Sequence, residues 1–208
     1  MRKIAVFGNG ESRRIININD FDSSYIKIGC NAIHRDIVVD HLICCDRRMI
    51  EEAVENPQSK DTFIYVREEQ YHHFRKVRKN KKIRLLPELP YQGEKRADKP
   101  THWGSGPYAL LVACSLDPIE IDLYGFDLYS KNNFVNNIYK GTKNYKQKNG
   151  SAVDPGYWIY QIGKLFTLYP NIKFNVYNEN SWSLPLQWQH LNVKKLELAC
   201  SSNKYPVY

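Results

Sequence analysis

Apolar, largely β-branched runs recur along the chain at Ile4–Phe7, Tyr25–Cys30, Asp40–Cys45, Thr62–Val66, Ile83–Leu86, Ile119–Tyr124 and Ile172–Tyr177. Runs this short and this continuously apolar predict strands buried on both faces. Helical stretches lie between several of them: Arg47–Val54, Glu68–Lys79, Tyr108–Leu116 and Gly156–Leu168. Strand and helix in alternation predict an α/β domain with a mainly parallel sheet and helices on both faces. No internal repeat and no second domain interrupts residues 1–208.

The central unit is Thr101 to Ser130. Gly104, Ser105 and Gly106 make a flexible loop, and Pro107 suits the first position of a helix. Ser105 or Gly106 is then the cap. Tyr108 to Leu116 is apolar on all sides, and Asp117-Pro118 stops it. The strand Ile119–Tyr124 follows, ending at Gly125 and the polar Asp127. A helix start with free N–H groups attracts anions. A strand end that opens into glycine and polar residues is where open α/β sheets hold ligands.

The first strand runs into Gly8-Asn9-Gly10-Glu11-Ser12. This is a Gly-rich turn of the kind that opens nucleotide-binding folds, though neither GxGxxG nor a Walker loop. Asn31 follows the second strand and Asp46 the third. If the strands are parallel, Asn9, Asn31 and Asp46 converge on one crevice. Residues 131–153 are rich in Asn, Lys and Tyr and poor in apolar side chains, which predicts a lid loop. Residues 178–208 form a C-terminal tail, with Trp182 and Trp188 to anchor it. The adjacent His72 and His73 cannot both face one metal from a regular helix and read as surface residues. The basic run Arg75–Arg84 reads as a solvated face, and Pro87 to Lys99 as a loop across the front of the domain.

Composition narrows the setting. The formal charge of +8 and pI near 9.1 suit an anionic substrate or partner, and equally a soluble basic surface. Fifteen tyrosines predict that several line a cleft, since the side chain is both apolar and polar. The five cysteines, Cys30, Cys44, Cys45, Cys114 and Cys200, show no metal-binding spacing and read as buried free thiols of a reducing compartment. Cys44 and Cys45, adjacent in a strand-like run, should point to opposite faces. There is no apolar run of about 18 residues and no signal-peptide pattern, so the expectation is a cytoplasmic protein, or one made in a host cytoplasm.

On these residues the chain resembles the sialyltransferases. Gly104-Ser105-Gly106 before the helix, and Tyr124-Gly125-Phe126 after the strand, are similar to the small sialyl motif of the eukaryotic enzymes. Gly125-Phe126-Asp127-Leu128-Tyr129 resembles the corresponding ending in bacterial members. Gly8-Asn9-Gly10-Glu11-Ser12 resembles their Gly-Asn-Gly-Pro-Ser, and Cys30-Asn31 their Arg/Cys-Asn. Together these segments span about a third of the chain, in the expected order.

The resemblance implies a Rossmann-like fold and a glycosyltransferase that moves a sialic-acid-like sugar from a CMP-activated donor to an acceptor hydroxyl on a glycan or modified nucleic acid. It implies nucleotide contacts from Gly8, Asn9, Gly10, Ser12, Asn31 and Asp46. Gly104, Ser105 and Gly106 would hold the nucleotide or the sugar carboxylate. Tyr129 would donate to the departing phosphate, with Tyr139 and Tyr145 of the lid as further donors. No metal and no cofactor beyond the nucleotide sugar are implied. The family's general-base histidine has no counterpart in Gly150–Tyr160, where Asp154 is the acid present. Bacterial members carry Asn where this chain has Asp46. That Asp resembles the strand-end acid of hydroxymethylpterin pyrophosphokinase-like proteins, which implies the alternative of a Mg-dependent phosphotransferase. A nucleotide- or nucleic-acid-binding module without catalysis is the third reading.

Overall fold

The computed structural model describes residues 3–17, 20–77, 82–91, 103–130 and 132–198. Its eight described strands are β1 (Lys3–Phe7), β2 (Tyr25–Cys30), β3 (His41–Ile43), β4 (Phe63–Val66), β5 (Ile83–Leu85), β6 (Glu120–Tyr124), β7 (Lys173–Asn178) and β8 (Val193–Glu197). They form one sheet in the order β5-β4-β3-β2-β1-β6-β7-β8, and every neighbouring pair is parallel. The helices are α1 (Arg47–Glu55), α2 (Glu68–Val77), α3 (Ser105–Cys114) and α4 (Gly156–Leu168). Short 3-10 turns follow β1 and β2 at Glu11–Ile15 and Asn31–Arg35.

Alternate residues of each central strand enter two separate cores. Ile4 and Val6 of β1 pack with α3 and α4 on one face; Ala5 and Phe7 pack with α1 and α2 on the other. Both faces of the sheet are therefore dry, and this is why the strands read as continuous apolar runs. Cys45 joins the first core and Cys44 the second, so the pair does face opposite ways. Cys30, Cys44, Cys45 and Cys114 are all buried free thiols; Cys200 lies outside the described residues.

The chain winds from β1 outward to β5 and then returns to β6 beside β1. Right-handed crossovers in opposite directions put the helices on opposite faces. The paired strands β1 and β6 thus mark the switch point of the sheet, the place where open α/β sheets hold ligands.

Three details differ from the sequence reading. α3 starts at Ser105 with Gly104 as its cap, so Pro107 is the third helical residue, where its missing N–H is still among the unpaired four. The tail contributes β8, whose Val-Lys-Lys-Leu-Glu pattern lacks an apolar run because an edge strand is only partly covered. Trp182 and Trp188 do tie the tail down, donating to the carbonyls of Asp127 (2.6 Å) and Ile159 (2.9 Å). Finally, residues 132–153 fold back on the domain and are closed at the neck by an antiparallel bridge between Phe134 and Ser151.

His72 and His73 are exposed on α2. Of the basic run, residues 78–81 lie outside the described residues, as does most of the front loop, residues 92–102. No helix among the described residues is long and apolar enough to cross a membrane.

Candidate functional site

At the switch point the turns after β1 and β6 are stitched together by backbone. Gly8 N–H donates to Tyr124 O (2.7 Å) and Gly10 N–H to Gly125 O (2.9 Å). A Cβ on Gly8 would sit 2.4 Å from the Gly125 carbonyl oxygen, and Gly125 has φ +69°. Only glycine allows both the approach and the left-handed turn. A Cβ on Gly10 would meet the Asp127 carboxylate at 2.4 Å. That carboxylate is engaged by the protein: it accepts from the Ser12 amide (3.0 Å), the Ser12 hydroxyl and the Asn178 amide group (3.4 Å). Ser12 is thereby committed to a structural clamp between the ends of β1, β6 and β7.

A cavity of about 310 Å³ opens beside this clamp. Its walls come from the ends of β1, β2, β3, β4 and β6, the start of α3, the 132–153 segment and α4. Gly8, Asn9, Gly10, Asn31, Asp46, Gly104, Ser105 and Gly106 all line it. Asn31 has φ 52°, a conformation that Asn tolerates better than most residues. Its Oδ1 accepts from the Ser105 hydroxyl (2.9 Å), whose oxygen accepts from the Cys45 amide (3.1 Å). Ser105 thus holds the ends of β2 and β3 against the first turn of α3.

Two buried polar atoms on the cavity wall have no partner: Asn9 Oδ1 and Arg67 Nε. Asn9 Nδ2 donates to Cys30 O and to the Tyr145 hydroxyl, both at 3.3 Å. The carbonyl demands the NH₂ end of the amide there, which leaves Oδ1 with bonding capacity to spare. Arg67 Nη2 donates to Trp103 O (3.2 Å). The cavity holds two carboxylates, the committed Asp127 and Asp46. Asp46 caps α1 with its backbone, its side chain makes no capping bond, and it is exposed. Burial pushes the Cys30 thiol up to about 12 and raises Cys45 as well, so neither wall thiol is a ready nucleophile.

The remaining expected residues lie elsewhere. Tyr145 reaches the rim, its hydroxyl accepting from Asn9 and from the Ala32 amide (3.3 Å). Tyr139 is buried on the far side, donating to Asp36 (2.6 Å) and accepting from Arg13 (2.8 Å). Burial raises the pKa of both phenols. Tyr129, 40% exposed, lines an adjoining depression of about 860 Å³ that shares only Asp127 and Asn136 with the cavity. The cause is a γ-turn of the rarer hand: Leu128 has φ 60°, and Tyr129 N–H donates to Asp127 O (2.6 Å). Asp154 accepts from the Gly156 amide (2.8 Å) at the start of α4, outside the cavity wall.

Five wall residues had not been singled out: Arg67, Asn136, Asn137, Trp158 and Ile162. Arg67 follows Val66, so the rule that selected Asn9, Asn31 and Asp46, a polar residue just past an apolar run, selects it too. The asparagines and Trp158 carry no such local signal. Among the described residues no group of three His, Cys, Asp or Glu is placed to hold a metal ion.

No family model matches the chain, and no curated protein sequence does. Solved structures share its fold. Cst-I, a monofunctional α-2,3-sialyltransferase from Campylobacter jejuni, aligns with TM-score 0.58 and 14% identity over 93% of this chain and 80% of its own. An α-2,3-sialyltransferase from the same organism, in apo form, gives 0.54 and 16% over 93% and 80%. Sialyltransferase CST-II, in complex with CMP and a trisaccharide acceptor, gives 0.52 and 16% over 84% and 80%.

Proposed function

We propose that this protein is a glycosyltransferase that takes a sugar from a CMP-linked donor and passes it to an acceptor hydroxyl. One observation carries the reading: the cavity beside the β1/β6 turns has a buried, unpartnered acceptor, Asn9 Oδ1, on its wall. Such an acceptor calls for a donor, either a ribose hydroxyl or the exocyclic amine of cytosine. The shared fold with sialyltransferases and the Gly104–Gly106 and Gly8–Ser12 segments support the same reading.

In the reaction, a bond forms between the acceptor oxygen and the anomeric carbon while the bond from that carbon to the phosphate oxygen breaks. The electron pair leaves with CMP. The free amides at the start of α3, beside Ser105 and Gly106, offer donors to the growing charge. The acceptor proton needs a base. Asp127 is held by Ser12 and Asn178, and Asp154 accepts from the Gly156 amide outside the cavity. Asp46 is the cavity carboxylate left to take the proton.

A thermal-shift panel with CMP, CDP, UDP, GDP, AMP and ATP, each with and without Mg²⁺, tests this. A ligand at about a hundred times its Kd adds ~2.7 kcal/mol to stability. For a chain of this size that raises Tm by roughly 5 °C or more. CMP without metal is expected to do so. A shift with ATP and Mg²⁺, and none with CMP, would support phosphoryl transfer in its place.

A further inference from the structure

We propose that His34 is a positioning residue: from behind the cavity wall it holds the left-handed backbone of Asn31, and Glu52 makes that hold respond to pH. The consequence for ligand binding rests on the CMP reading above; the hold itself does not.

Asn31 lines the cavity with φ 52°, and the short turn it opens, Asn31–Arg35, has no side-chain cap. Its carbonyl is held by two donors that line no part of the cavity: His34 Nδ1 at 2.9 Å and, more weakly, Cys44 Sγ at 4.0 Å. Burial keeps that thiol neutral, with its pKa well above the usual value. Left-handed backbone in a residue other than glycine persists where surrounding contacts impose it. The His34 bond is the shorter of the two contacts that do so at this carbonyl.

The other ring nitrogen meets an acid. A carbonyl only accepts, so the bond to Asn31 puts a proton on Nδ1 and leaves Nε2 of the neutral ring a bare acceptor. Nε2 is buried without a hydrogen-bond partner, and the atom facing it, Glu52 Oε1 at 3.4 Å, is another acceptor. That carboxylate is held where it is, accepting from Arg35 Nη2 (2.7 Å) and Asn144 Nδ2 (3.1 Å). A second proton on Nε2 turns the contact into a charge-assisted bond and leaves Nδ1–H in place. The charged ring then ties Asn31 to α1 from both of its nitrogens. Glu52 of α1 and Arg35 of the same turn are the charged groups that face the ring. Burial outweighs the pull of the Asn31 carbonyl and of Glu52, and lowers the pKa of His34 below its ordinary value. The ring is thus neutral at pH 7.5 and takes up its proton below about pH 6.5. A ligand that uses Asn31, whichever way round it lies, gains from a wall residue already held in place. His34 should therefore strengthen binding on the acid side.

Two measurements test this. The first is CMP affinity by calorimetry between pH 8 and pH 5.5 for the wild type, His34→Leu and His34→Asn; the asparagine amide nitrogen stands where Nδ1 does. His34→Leu should weaken CMP about tenfold or more at every pH, and His34→Asn should restore it to within about threefold of the wild type at pH 8. Below about pH 6.5 the wild type should pull ahead of His34→Asn by roughly another threefold. Comparing proteins cancels the titration of the CMP phosphate itself. The second measurement is NMR of the imidazole nitrogens without ligand, the His34 signal being the one lost in His34→Asn. The Nδ1–H tautomer is expected at pH 7.5. Glu52→Gln should lower the pKa further, since the carboxylate is gone and an amide can donate to Nε2. CMP bound equally by all three proteins at every pH overturns the positioning role and leaves the nucleotide reading standing. An Nε2–H tautomer, or a titration indifferent to Glu52→Gln, overturns the hold. Wild-type protein that binds no CMP overturns the nucleotide reading, and the spectra then decide the hold alone. Should His34→Leu fail to fold, the ratio of wild type to His34→Asn decides: a ratio constant with pH refutes the proposal.

Discussion

The two ends of the cavity are built differently. At the β1/β6 end the backbone does the positioning. Gly8, Gly10 and Gly125 bring two turns into contact, Ser12 and Asn178 hold Asp127, and among these groups Asn9 Oδ1 is left over. At the β3/β4 end the wall is made of charged side chains. Asp46 has no capping bond, and Arg67 has a donor to spare. The first end is closed by its own contacts; the second keeps a carboxylate and a guanidinium donor on an open wall.

The largest effect should come from breaking the closed end. Gly8→Ala forces a methyl group to 2.4 Å from the Gly125 carbonyl and obliges two backbone segments to part. A loss on the order of 3 kcal/mol is expected from such strain. Urea unfolding is the measurement. A loss under about 1 kcal/mol would mean the turns are free to move apart, and the contrast between the ends would fail.

A hundredfold fall in turnover, ~2.7 kcal/mol, is the next effect in size. It is expected for Asp46→Asn, because general bases contribute about that much or more. Asn keeps the size of the side chain and leaves the backbone capping of α1 in place, so folding should survive. Asp154→Asn is the companion: its carboxylate accepts from the first amide of α4, so turnover should stay within about twofold of the wild type while Tm falls slightly. The reverse pattern, with Asp154 essential and Asp46 dispensable, would move the chemistry away from the β3/β4 end.

Much of this site is legible in the sequence, because a parallel strand puts its ligand-facing residue directly after its apolar run. Asn9, Asn31 and Asp46 follow from that rule, and so does Arg67. The helix start at Gly104–Gly106 follows from small residues before an apolar stretch. What local pattern cannot give is direction set by distant contacts. Tyr129 is the last residue of the strand-end motif, yet beyond the γ-turn at Leu128 it lines the next depression. That turn sits where Gly8 and Gly125, more than a hundred residues apart, meet. Tyr139 likewise looks like a lid donor until its partners, Arg13 and Asp36, are known. β8 escapes for a simpler reason: an edge strand with two lysines carries too little apolar signal.

The smallest effect concerns the connection between the closed end and residues 132–153. Tyr145 joins them, its hydroxyl accepting from Asn9 Nδ2 and from the Ala32 amide. Arg35 lies 5.7 Å from the ring centroid, which keeps the aromatic body in place when the hydroxyl is removed. Tyr145→Phe therefore deletes two long hydrogen bonds and little packing. The cost should be about 1 kcal/mol, or a few degrees in Tm. A lid held by few anchors should respond more than the sheet does, since local opening depends on local contacts. Amide exchange in residues 132–153 is expected to quicken several-fold in Tyr145→Phe, with β1, β6 and β7 unchanged. CMP added to the variant should restore slow exchange, because a ligand touching Asn9 and the segment's Asn136 and Asn137 closes the same gap from inside. Exchange that quickens equally in the sheet would show that Tyr145 belongs to the core. Exchange that does not quicken at all would show that the Phe134–Ser151 neck and Tyr139 hold the segment without it, and that it does not open as a lid there.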